Sequence, residues 1–149
     1  MHLAQLNVAR PRAAMDDPQM AEFKAALEPV NALADATPGF VWRLTDDSGA
    51  DATSLRIAGG YIMVNMSVWE SRDALWNFAY RSPHMEYLRR RREWFHQQVE
   101  PYQVMWWVPV GHRPTVAEAE DRLKTVRSEG PGPAAFTFRN FYPMEILTT

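Results

Sequence analysis

The 149-residue chain has no cysteine. That removes disulfides, thiolate metal ligands, iron–sulfur clusters and a cysteine nucleophile. It also has no surplus of either charge: 16 Lys and Arg stand against 18 Asp and Glu, a net charge of −2. A dedicated nucleic-acid binder carries a basic excess, so none is expected here. No apolar run reaches the ~18 residues of a membrane span. Residues 1–12 lack the basic start and apolar stretch of a signal peptide. The expectation is a cytoplasmic protein with no membrane partner. The four His form no His-x-His or His-x-x-x-His pair, so no metal site is expected. Gly59-Gly60 lacks the Lys and Ser/Thr of a phosphate loop, and no Gly-x-Ser-x-Gly elbow exists.

Aromatic side chains are what the sequence has in plenty: six Trp, seven Phe and five Tyr, with eight Met. They imply either a large aromatic core or an aromatic-walled cavity. The length suits one domain, which at this size buries roughly 68–70% of its unfolded surface. A single domain over 1–149 is expected, with a core in 1–110 and a C-terminal helix and tail in 111–149.

Hydrophobic period then sets the elements. Residues 2–9 alternate, with Ala4, Leu6 and Val8 against Leu3, Gln5 and Asn7. Asp16-Asp17-Pro18 opens a helix, because Asp caps free N–H groups and Pro18 has none to lose. Met20, Phe23, Leu27, Val30 and Leu33 form its apolar stripe, and Pro29 inside it predicts a kink or a split. Residues 40–45 and 61–69 read as strands, with 46–53 a polar loop between them and 55–58 a short strand or part of that loop. Ser71 caps a helix that Ser82-Pro83 breaks, and a further helix runs over 84–98. Residues 103–110 form a last strand, with Trp106 and Trp107 on opposite faces. Thr115 and Glu118 fit a capping box for a helix ending at Gly130. The aromatic tail from 134 adds an edge strand or wraps the surface. The order βαββαβ makes an α+β fold with an antiparallel sheet carrying its helices on one face.

In the strand 61–69 the even positions Ile62, Val64, Met66 and Val68 are all apolar and suit packing on helices. The odd positions mix Tyr61, Asn65, Ser67 and Trp69, and Asn7 belongs to the matching face of the first strand. A ligand cavity is apolar and aromatic with a few placed polar groups, and this face has that mixture. Ordinary exposed polar residues or a dimer contact would read the same way.

Several stretches together resemble one family. They are His2-Leu3-Ala4-Gln5-Leu6-Asn7, Pro38-Gly39-Phe40-Val41-Trp42-Arg43-Leu44, Ser67-Val68-Trp69-Glu70-Ser71, Phe78 and Ser82-Pro83-His84. Residues 89–95, Trp106-Trp107-Val108-Pro109, Gly111-His112-Arg113-Pro114-Thr115 and Phe136-Thr137-Phe138 extend the match. They are similar to the bacterial family called domain of unknown function 3291, within the antibiotic-biosynthesis-monooxygenase-like superfamily of dimeric α+β barrels. The resemblance implies a ferredoxin-like βαββαβ fold that dimerises sheet to sheet, with a small-molecule site in each half. It covers cofactor-free oxygenases, haem-degrading monooxygenases and isomerases, so the fold alone names no reaction.

The function expected is a homodimeric enzyme, monooxygenase-like or isomerase-like, acting on a planar, apolar or aromatic metabolite, plausibly of secondary metabolism. His84 is the candidate acid/base, and Asn7 and Asn65 are candidate carbonyl or oxyanion donors. Trp69, Ser67, Trp107 and Tyr61 are candidate cavity walls. Arg89 to Arg92 wrap around their helix, so at least one turns inward. Arg91 is the candidate to hold a carboxylate or phenolate. The others read as a solvated face balancing Glu86, Glu93 and Glu100, with Glu86 and Arg90 spaced for an i,i+4 pair. No cofactor is expected. Haem-degrading relatives carry their axial His about two turns beyond His84, where this chain has the arginine run. Two alternatives stand: a haem protein with His84 as axial ligand, and a non-catalytic ligand-binding or structural dimer.

Overall fold

The computed structural model describes residues 1–10, 12–13, 17–44, 63–82, 84–96 and 102–144. The strands are β1 (His2–Ala9), β2 (Phe40–Arg43), β3 (Met63–Trp69) and β4 (Gln103–Val108). The helices are α1 (Ala21–Ala36), α2 (Arg72–Arg81), α3 (His84–Arg89), α4 (Arg91–Trp94) and α5 (Val116–Glu129). One antiparallel sheet has the order β2-β3-β1-β4, the ferredoxin-like α+β arrangement. Its register sets Asn7 opposite Asn65, Gln5 opposite Ser67 and Leu3 opposite Trp69. The short strand expected at 55–58 lies outside the described residues.

Several local expectations change. A 3-10 turn, Pro18–Met20, precedes α1, with Asp17 Oδ1 accepting from the Gln19 N–H at 2.8 Å. The helix α1 then runs unbroken through Pro29 rather than splitting there. The helix expected over 84–98 breaks at Arg90 and ends at Trp94. The cause is competition from β1's extension: Arg12 N–H donates to the Trp94 carbonyl and His96 N–H to the Arg10 carbonyl, which pulls the chain into an extended path. The break also undoes the expected Glu86–Arg90 pair. Glu86 meets Arg89 at 4.0 Å, while Arg90 turns to Glu22 and Glu93 at 2.6 and 2.8 Å. These two carboxylates raise the Arg90 pKa, and Arg90 in turn lowers that of Glu93.

The larger correction concerns the sheet's two faces. The apolar face, with Ala4, Leu6, Val8, Val64, Met66, Val68, Val104, Trp106 and Val108, packs against Ala119, Leu123 and Val126 of α5. Its composition implied packing on helices, and the helix it meets is α5 rather than α1 or α2. Each of those nine strand residues is 2% exposed or less within the one chain. Helices thus cover both faces of the sheet within the one chain, where the expectation was helices on one face only. α5 is held on it by its start: Thr115 Oγ1 accepts from the Glu118 N–H at 3.1 Å. Only that half of the capping box forms as expected. The Glu118 carboxylate instead accepts from Trp106 Nε1 at 2.9 Å and lies 2.6 Å from His112 Nε2. Beyond α5, the tail returns to β4, where Phe136 and Met105 exchange two backbone hydrogen bonds of 2.7 and 2.9 Å.

The mixed face, with Leu3, Gln5, Asn7, Asn65, Ser67 and Trp69, therefore looks toward α1 and α2. Gly39 sets how close α2 comes to the turn before β2. Its φ is +89°, a region that costs an L-residue about 1–2 kcal/mol. A Cβ there would lie 2.5 Å from the Ala74 Cβ in the first turn of α2. We expect Gly39→Ala to lower stability by about 2–3 kcal/mol from strain plus overpacking. Urea denaturation checks this, and a loss under 0.5 kcal/mol contradicts it.

Candidate functional site

A cavity of about 450 Å³ lies between the mixed face of the sheet and the helices α1 and α2. The volume suits a small organic molecule. Its roof is largely apolar, with Phe23, Leu27, Val30 and Ala34 from α1 and Leu75, Phe78 and Ala79 from α2. These residues recur at three and four positions, so one stripe of each helix faces inward.

Its floor is a hydrogen-bonded row laid across two strands. Asn7 Nδ2 donates to Gln5 Oε1 at 2.8 Å. Gln5 Nε2 donates to Asn65 Oδ1 and to Ser67 Oγ, each at 2.8 Å. Trp69 Nε1 donates to the same Ser67 Oγ at 2.8 Å. The row exists because antiparallel pairing puts positions 5, 7, 65 and 67 side by side on one face. Gln5 and Ser67 are buried at 3% and 6% exposure, and such polar burial is tolerated because partners are present. The capacity left over is informative. Indole N–H and Gln5 occupy the Ser67 oxygen as donors, so its hydroxyl hydrogen is left to donate elsewhere. Asn65 keeps its amide N–H pair and Asn7 its carbonyl oxygen, since the row uses neither. Trp69 closes one end between Phe78, stacked at 5.4 Å, and Phe40, edge-on at 5.3 Å.

Arg91 lines the other end. Its guanidinium lies over the rings of Tyr102 and Phe95, 4.5 and 5.3 Å from their centres. Burial lowers its pKa. Tyr80, also on the cavity, has its phenol pKa raised, first by burial and then by Tyr102.

Of the residues expected to form the site, Asn7, Asn65, Ser67, Trp69 and Arg91 line this one cavity. Trp107 does not. It points to the tail, where Phe136 and Phe141 lie 6.4 and 5.9 Å from its ring and Tyr142 accepts its indole N–H at 2.9 Å. Strand alternation alone could not show that the tail would cover it. Tyr61 and the side chain of His84 lie outside the described residues. Gln5, the hub of the row, went unselected, although its place two residues from Asn7 on the same strand face was the signal. Phe78 and Tyr80 could have been found only by knowing which helix stripe faces the sheet.

Among the described residues no group of three or more His, Cys, Asp or Glu could hold a metal ion. The described side chains lining the cavity include no His, Cys or Met to ligate a haem iron. The raised Tyr80 pKa works against a phenolate ligand there. A haem reading would rest on His84, whose side chain lies outside the described residues. Among the described residues no helix is long and apolar enough to cross a membrane.

No curated protein matches the chain. Two solved structures are similar to it. One is the crystal structure of SnoaB, a cofactor-independent oxygenase from Streptomyces nogalater, at 19% identity and TM-score 0.48, covering 78% of this chain and 98% of that one. The other is a dabb family protein with a ferredoxin-like fold from Mesorhizobium loti MAFF303099, at 15% identity and TM-score 0.46, covering 74% and 98%. A family model, Domain of unknown function (DUF3291), matches residues 2–148, and the chain belongs to that family.

Proposed function

We propose that the protein is a small-molecule enzyme, monooxygenase-like or isomerase-like, acting on a planar apolar metabolite that lies on the Asn7–Gln5–Asn65–Ser67 row. The observation that carries this is the row itself: hydrogen-bonded polar side chains on the floor of a cavity with a largely apolar roof, with donors to spare at Asn65 and Ser67. A flat, oxygen-bearing molecule fits between such a floor and the largely apolar roof. Oxygenation or isomerisation of a molecule of this kind without a metal begins with loss of a proton, which leaves negative charge on an oxygen. Fixed N–H and O–H donors aimed at that oxygen lower the barrier. His84, at the start of α3, is our candidate for the base.

The first test is quenching of tryptophan fluorescence by planar hydroxyaromatic compounds, since Trp69 walls the cavity. With a turned-over compound in hand, Asn65→Ala and Ser67→Ala are each expected to lower kcat about 10- to 100-fold with KM little changed. Unchanged kcat in both variants refutes the donor roles. Dimerisation and a place in secondary metabolism remain part of the proposal. A second copy would dock elsewhere than on the Ala4, Leu6 and Val8 face, because α5 occupies it. Equilibrium sedimentation reads the mass directly.

A further inference from the structure

The four arginines in sequence at 89–92 have different fates. Arg89 reaches Glu86, Arg90 reaches both Glu22 and Glu93, and Arg92 is exposed. Arg91 alone turns to the cavity, and among the described residues its buried Nη2 has no hydrogen-bond partner. A buried donor left unmade costs about 1–3 kcal/mol, more when it is charged. Aromatic faces at Phe95 and Tyr102 partly stabilise the cation, but a ring face gives the in-plane N–H groups of Nη2 no acceptor.

The charge of the cavity as a whole agrees. Its charged residues among those described are Arg43, Arg91 and Arg139, with no Asp or Glu, in a chain whose net charge is −2. Arg43 is already held by Asp35, with Nε 2.9 Å from Oδ1, and Arg139 is exposed. Arg91 is thus the cation with unspent donors inside the site. Its planar fork matches a carboxylate through two parallel hydrogen bonds.

We infer that the molecule this cavity takes is a planar carboxylate, with its acid group on Arg91 and its flat body along the polar row toward Trp69. This deepens the proposed function and rests on that reading of the cavity as a binding site.

The test is calorimetric binding of 2-naphthoate and of its neutral counterpart 2-naphthamide to the intact chain and to Arg91→Gln and Arg91→Lys. Naphthoate is expected to bind the wild type about 10- to 100-fold tighter than naphthamide. Arg91→Gln should erase that difference, and Arg91→Lys should keep only part of it, because lysine retains the charge and loses the fork. Equal binding of the two probes to the wild type overturns the carboxylate inference and leaves the cavity reading standing. Binding of neither probe at millimolar concentration overturns both. Full naphthoate preference in a folded Arg91→Gln protein, as judged by circular dichroism, also overturns the role of Arg91. The wild-type comparison and Arg91→Lys decide the matter even where Arg91→Gln does not fold.

Discussion

Leu123→Asp should cost the protein about 5 kcal/mol, enough to unfold a domain of ordinary stability. Leu123 is 3% exposed at the contact between α5 and the sheet's apolar face. Two losses combine. Deleting the isobutyl group removes buried area and leaves a void, which alone costs about 3 kcal/mol as Leu123→Ala. The carboxylate then sits among Val, Met and Trp side chains without a partner, so it must either stay charged and unpaired or take up a proton. Lys124→Asp, on the exposed side of the same helix, is the control and should change stability by no more than about 0.5 kcal/mol. Urea titrations of the three variants measure these differences. A Leu123→Asp protein within 1 kcal/mol of wild type would show that α5 does not seal the sheet.

Trp69→Ala is the second large effect, with an expected loss of about 4 kcal/mol. The indole is 1% exposed, lies between Phe40 and Phe78, and donates to Ser67. Truncation therefore removes an aromatic stack and one donor to Ser67 together. Trp69→Phe keeps a ring in the stack and loses only the N–H, so it should cost about 1 kcal/mol. Thermal unfolding of both variants separates the two contributions. Equal losses in the two would mean that the hydrogen bond, not the stack, carries the stabilisation.

The strands were legible in the sequence because alternation marks them directly. Leu3, Gln5 and Asn7 share a face, as do Asn65, Ser67 and Trp69, and the register joins those faces into one site wall. What alternation could not reveal is which layer each face meets. A uniformly apolar face suits any apolar helix stripe, and both α1 and α5 offer one. The polar face can turn inward only because Gln5 finds oxygen partners on the neighbouring strand, a matter of pairing partner rather than of local pattern. The same limit explains Trp107 and the break at Arg90. Phe136, Phe141 and Tyr142 decide the first, and the backbone of Arg10 and Arg12 decides the second, both from far along the chain. Arg91 was legible as an inward cation because four consecutive arginines cannot all face water on a helix.

The sheet order also has a kinetic consequence. β1 is central, yet the strands that flank it come much later: Gln5 sits opposite Ser67 and Met105, 62 and 100 positions along. Pairings this distant in sequence must close long loops before they gain anything, which slows folding. A chain emerging from the ribosome carries the β1 strand unpaired through most of its synthesis. Its Ala4, Leu6 and Val8 row stays wet until β4 has docked and residues 116–129 have arrived to cover it. During that interval the row is a template for wrong pairing with other nascent chains. The helix α5 is therefore the cover that ends this exposure as well as a layer of the finished molecule.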